Sequence, residues 1–96
     1  MTKYEIMFIV KSTLEEATLN NIVKEVQGLI NTNGSKVIEF KEMGRKKLAY
    51  PIKKEISGFY YLMNVEATKE TVQEFDRKLR INENILRHLI LKIESE

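Results

Sequence analysis

Two segments of this chain, Lys3–Val10 and Phe59–Glu66, are rich in β-forming residues and largely apolar on both of the faces a strand would give them. That is the pattern of a strand in the middle of a sheet, flanked on both edges and shielded on both sides. In the first segment Tyr4, Ile6, Phe8 and Val10 fall on one face, and Glu5, Met7 and Ile9 on the other. A chain of 96 residues forms one modest core, burying roughly 60–65% of its unfolded surface. Both central strands must therefore share one sheet in a single domain spanning residues 1–96.

The remaining segments fill in around them. Ser12 and Thr13 are candidate caps, with Glu15 and Glu16 three residues further on. Leu19, Ile22, Val23, Val26, Leu29 and Ile30 then recur at helical spacing, and Asn33-Gly34 supplies a stop. The expected first helix spans about residues 14–32. Lys36–Met43 alternates weakly and is highly charged, as an edge strand should be. It runs into a stretch interrupted by Pro51, which cannot donate to a ladder and marks an edge or an irregularity. Lys53–Gly58 is expected to turn. Thr68 caps a second helix, whose Val72, Phe75 and Leu79 line one side and whose last turn holds Arg77, Lys78 and Arg80. Ile85–Ile93 is a fourth strand, and residues 94–96 form an acidic tail expected to fray.

The order β-α-β-β-α-β has one compact solution. It is an α+β, ferredoxin-like split βαβ fold: a four-stranded antiparallel sheet with both helices on one face. Right-handed crossovers put strands one and three in the centre. Those are the two segments that are apolar on both faces, so pattern and topology agree.

Composition narrows the chemistry. The balance of 43% apolar and 31% charged residues argues against a disordered chain. With no cysteine, disulfides, thiolate metal sites and Cys nucleophiles are excluded. His88 is the only histidine and Asp76 the only aspartate, which removes most hydrolase triads and His-rich metal sites. No catalytic residue, metal site, cofactor or small-molecule substrate is expected. His88, without a second ligand, reads as a satisfied or edge histidine. The longest apolar run, Ile6–Val10, falls far short of the roughly 20 residues a membrane span needs. Strand patterning starts within the first few residues, which leaves no room for a signal peptide. A cytoplasmic protein with no membrane partner is the expectation.

Net charge is +2, but it is segregated. Residues 41–55 carry six basic and two acidic side chains, and residues 77–92 five and one, each a local +4; the rest sums to −6. A polyanionic partner on one side of the molecule is implied. The sheet adds a second surface. If Tyr4, Ile6, Phe8 and Val10 face the helices, Met7, Ile9, Tyr60 and Leu62 face outward, and a partner is expected to cover them. Ser57-Gly58-Phe59-Tyr60-Tyr61-Leu62 faintly resembles the aromatic motif of RNA-recognition modules. It lacks the basic residue before the glycine, and strand one offers no outward aromatic, so these rings read as core and interface.

Residues 44–53, Gly-Arg-Lys-Lys-Leu-Ala-Tyr-Pro-Ile-Lys, resemble the signature of the bacterial ribosomal protein S-six family, the sixth protein of the small subunit. The opening Tyr4–Val10, Gly58-Phe59-Tyr60 and Leu79–Arg87 resemble other parts of that family, so the likeness covers essentially the whole chain. Lys47 departs from it, since members often carry arginine or another polar residue there. The resemblance implies a structural protein of the small ribosomal subunit, without catalysis. It also implies that the protein pairs with ribosomal protein S-eighteen and binds the central domain of the small-subunit RNA. Candidate phosphate contacts are Arg45, Lys46, Lys47, Arg80, Arg87 and Lys92. Leu48, Tyr50 and Pro51, on the suspected edge strand, are candidate partner contacts.

Two other classes of protein use this fold. An acylphosphatase-like enzyme would need a phosphate-cradling loop after strand one, and Lys11-Ser12-Thr13-Leu14 has neither glycine nor arginine. A homo-oligomeric ferredoxin-like regulatory module is permitted by the apolar outer face. The 44–58 hairpin, charged and proline-bearing, is expected to be mobile in the free protein.

Overall fold

The computed structural model describes residues 2–32 and 34–94. The elements follow the order β1 (Thr2–Lys11), α1 (Glu16–Ile30), β2 (Lys36–Ile52), β3 (Glu55–Ala67), α2 (Lys69–Ile81) and β4 (Ile85–Glu94). The sheet order is β2-β3-β1-β4, antiparallel throughout, so the two strands that are apolar on both faces do lie in the centre.

Register decides which side chains share a face. Ile6 opposes Met63 and Ile90, and Phe8 opposes Tyr61 and His88. Ile6, Phe8, Val10, Met63 and Val65 are sealed beneath Ile22, Val26 and Ile30 of α1 and Phe75 and Leu79 of α2. Phe8 stacks on Tyr61 with centroids 5.1 Å apart, and Tyr61 on Phe40 at 5.7 Å, so three strands share one aromatic row. Both helices cover this face.

The helix ends differ in how far local chemistry set them. Thr68 caps α2 as expected, its Oγ1 accepting from the Thr71 backbone N–H at 3.2 Å. Ser35 joins that cap: its Oγ accepts from the Thr68 N–H and donates to Thr71 Oγ1. At α1 the expectation fails. The helix starts at Glu16, the N-cap is Glu15, and no side chain among the described residues caps it. Ser12 and Thr13 spend their hydroxyls on the β2–β3 hairpin instead, Ser12 on Ser57 and Thr13 on Glu55. The helix also ends early, at Ile30. Asn31 stops it by turning its Oδ1 to the Val37 N–H at 3.1 Å. Gly34 has a positive φ of 82°, but it lies past the cap, and Asn33 is outside the described residues. The tail residues 95 and 96 also lie outside them.

The largest departure is in β2. Lys36–Met43 is expected to run into an edge or irregular stretch at Pro51 and a turn over residues 53–58, and the edge alternative holds. The structure has one strand of 17 residues, broken by register shifts near Val37, Met43 and after Lys47. The turn shrinks to Lys53-Lys54, between the paired Ile52 and Glu55. Both lysines have positive φ, 49° and 68°, as a type I′ turn requires. Without glycine this costs roughly 1 kcal/mol per residue. Lys53 Nζ offsets part of that cost by donating to the Ile85 carbonyl at 3.1 Å.

Candidate nucleic-acid and protein interface

Because β2 and β3 outrun β1, whose last residue Lys11 pairs with Gly58, the hairpin extends past the end of the central strand. It then bends across the sheet face that lacks helices. Leu48 of β2, Ile9 of β1 and Leu86 of β4 form a second small core there, joined by Ile52 and Tyr60. The bend depends on Gly58. A Cβ at that position would collide with Ile9 Cγ2 and sit 3.1 Å from the Val10 carbonyl oxygen and 3.3 Å from Leu86 Cδ1.

The hairpin reaches the far edge of the sheet. Arg87 Nη1 of β4 donates to the Tyr50 hydroxyl of β2 at 2.7 Å, although the two residues are 37 apart in sequence. Together with Met7, Ile9, Leu48, Tyr60 and Leu89 they line a concavity of about 280 Å³. Beyond it the open face stays apolar: Leu89, Leu91 and Ile93 of β4 are each about half exposed. A sheet face that met only water would alternate to polar here. The outward direction expected for Met7, Ile9, Tyr60 and Leu62 agrees with the register, with Met7 opposite Leu62 and Ile9 opposite Tyr60.

The hairpin carries the positive charge. Arg45, Lys46 and Lys47 are exposed. Arg45 Nε donates to Ser57 Oγ at 3.4 Å, and Lys46 Nζ lies 5.6 Å from the centroid of the Tyr60 ring. Arg87 joins them from β4, on the same open face as Lys46 and Tyr60. Leu48 is buried against the sheet, whereas Tyr50 and Pro51 are exposed. The hairpin thus has more anchors than its composition suggests: the Leu48 cluster, the Tyr50–Arg87 bond and the Lys53–Ile85 bond.

The other two expected cations stand apart. Arg80 lies on α2, on the opposite side of the sheet from Arg87, and is ion-paired with Asp76 at 2.6 Å. Asp76 also meets His88 Nε2 at 2.7 Å, so the chain's only aspartate and only histidine tie α2 to β4. The His88 hydrogen bond, more than the Arg80 charge, holds the Asp76 carboxyl below the usual carboxylate range. Lys92 pairs with Tyr4, at the opposite end of the sheet from the hairpin tip. Within the RNA-recognition-like stretch, Phe59 and Tyr61 face the main core and Tyr60 the open face.

The architecture defines a class: a ferredoxin-like domain with one sealed sheet face, one apolar open face and a cationic arm laid across it. Residues 3–92 match the family model described as Ribosomal protein S6, and the chain belongs to that family of small-ribosomal-subunit proteins. It is also similar to a crystal structure of 30S ribosomal protein S6 from Thermotoga maritima. The two share 28% identity and a TM-score of 0.89, over 96% of this chain and 87% of that one. Among the described residues no helix is long and apolar enough to cross a membrane, and no group of His, Asp and Glu has the makings of a metal site.

Proposed function

We propose that this chain is an assembly protein that binds the central domain of small-subunit ribosomal RNA together with ribosomal protein S-eighteen. The observation that supports this best is the placement of a cationic hairpin directly over an apolar open face. Arg45, Lys46, Lys47 and Arg87 then supply phosphate contacts, which give salt-sensitive affinity without base specificity. Tyr50 and Pro51, with the Leu89–Leu91–Ile93 row, supply the protein contact, while Leu48, expected to join them, is taken up in anchoring the hairpin to Ile9 and Leu86. Arg80 and Lys92 contribute less, because Asp76 neutralises the first and the second stands at the far end of the sheet. The role is structural, at the ribosome, with no catalytic step.

A titration of a central-domain junction RNA, at two salt concentrations, with and without ribosomal protein S-eighteen, tests this. Tight binding that needs the partner and weakens with salt is expected. Replacing Arg45 with Gln should lower the salt slope by about one. No binding in either arm overturns the reading. A stable homodimer that excludes RNA would move the regulatory module forward, since a second copy could also cover Leu89, Leu91 and Ile93.

A further inference from the structure

On the helix side, where the start of α1 meets β2 and β3, lies a recess of about 420 Å³ lined by Leu14, Glu16, Leu19, Glu42, Phe59 and Tyr61 among others. This is within the size range of small-ligand sites. Its floor is apolar and aromatic. Its rim holds two carboxylates, Glu16 from the first turn of α1 and Glu42 from β2, and neither has an ion-pair partner among the described residues. Tyr61 is 5% exposed, lines the recess, and makes no side-chain hydrogen bond among the described residues. Its hydroxyl oxygen is not sealed in the core but reaches the recess, where an incoming donor can meet it. Glu42 lies opposite Tyr61 in the β2–β3 register. Burial first, and the Glu42 charge second, push the Tyr61 phenol above its usual range.

We propose that this recess is a binding site for an arginine side chain presented by a basic partner protein. The apolar floor suits a flat cation laid against the partly exposed Phe59 ring, with the Tyr61 ring itself packed on Phe8 and Phe40. Glu42 and Glu16 accept from its N–H groups, and the Tyr61 oxygen accepts another. Phosphate is repelled by the same two carboxylates, so the site is distinct from the RNA-facing hairpin. It does not depend on the ribosomal RNA reading: it uses other residues, of which only Arg45, opposite Phe59, stands beside it.

The test is an NMR titration of the labelled full chain with N-acetyl-arginine amide. N-acetyl-citrulline amide, of the same shape but neutral, is the control. Saturable shifts confined to the amides of Leu14, Leu19, Gly44 and Phe59 are expected with arginine and not with citrulline. Bound cation should also lower the pH at which the Tyr61 ring carbon titrates, because it offsets Glu42. Glu42→Gln should weaken binding roughly three- to fivefold, and Tyr61→Phe, which keeps the buried ring, should weaken it without unfolding. Equal response to citrulline, no saturable response, or an arginine response centred instead on Glu70 and Glu74 of α2 would overturn the proposal. None of these outcomes bears on the RNA titration.

Discussion

The two faces of this one sheet are apolar for different reasons. On the helix side, Ile6, Phe8, Val10, Val65 and Phe75 are fully sealed, and their burial is what stabilises the domain. On the open side, Ile9, Leu48 and Leu86 are covered only by the chain's own hairpin, and Leu89, Leu91 and Ile93 remain half bare. Apolar content alone does not separate a core from a docking surface. What separates them is whether the chain supplies its own lid, and here it supplies a full lid on one side and a partial one on the other.

Mutations should separate the faces in order of severity. Phe75→Ala empties a fully sealed site and should cost about 3–5 kcal/mol, most of the stability of a domain this small; a denaturant melt measures it. Gly58→Ala overpacks the crossing of hairpin and sheet. It should cost about 1–3 kcal/mol and raise amide exchange through residues 44–57 more than in the helices. If exchange instead rises evenly, the hairpin is not an independent lid. Leu48→Ala removes the hairpin's anchor from a shallow cluster and should cost about 2 kcal/mol, the low end for a buried leucine. Leu89→Ser and Leu91→Ser together should shift stability by no more than about 0.5 kcal/mol, as exposed sites do, yet abolish partner-dependent RNA binding. A large loss of stability there would make the open face a second core.

The smallest effect concerns pH. The Asp76 carboxyl is held low in the folded state, chiefly by His88. Its stabilisation is therefore complete above the unfolded carboxyl range, near pH ~4, and is lost as pH falls through the lower folded value. Asp76→Asn should flatten the acid limb of the stability curve in that window and leave its slope near pH 8 unchanged.

The elements with strong periodicity were legible in the sequence, and so was their order. Alternation in Lys3–Val10 and the Phe75–Leu79 spacing depend on neighbours a few residues away, which a linear reading sees. The Thr68 cap was legible for the same reason. The early stop at Ile30 was not, because Asn31 reaches forward to Val37. Ser12 and Thr13 had the local chemistry of caps but found partners more than 40 residues downstream. The extra length of β2 was hidden by Pro51, which an edge strand tolerates. The functional candidates divided likewise. The cationic run Arg45-Lys46-Lys47 could be read directly, whereas the meeting of Tyr50 with Arg87 and the recess at Glu16, Glu42 and Tyr61 exist only after the sheet has paired. Arg80 looked equivalent to Arg87 in sequence, and one helix-to-strand crossing set them on opposite sides.

The pairing of β1 with both β3 and β4 carries a consequence for biosynthesis. The first strand to leave the ribosome is the one whose two partners are made last. Lys11 precedes Ile85 by 74 residues, a delay of about 4–15 s at ordinary elongation rates. Both edges of this apolar ribbon are open until β3 is made, and its β4 edge stays open for the whole interval, while the β2–β3 hairpin, whose halves are adjacent, can already close. The nascent chain therefore completes the β2–β3 side of the sheet first, and β1 is the last of the two central strands to be enclosed.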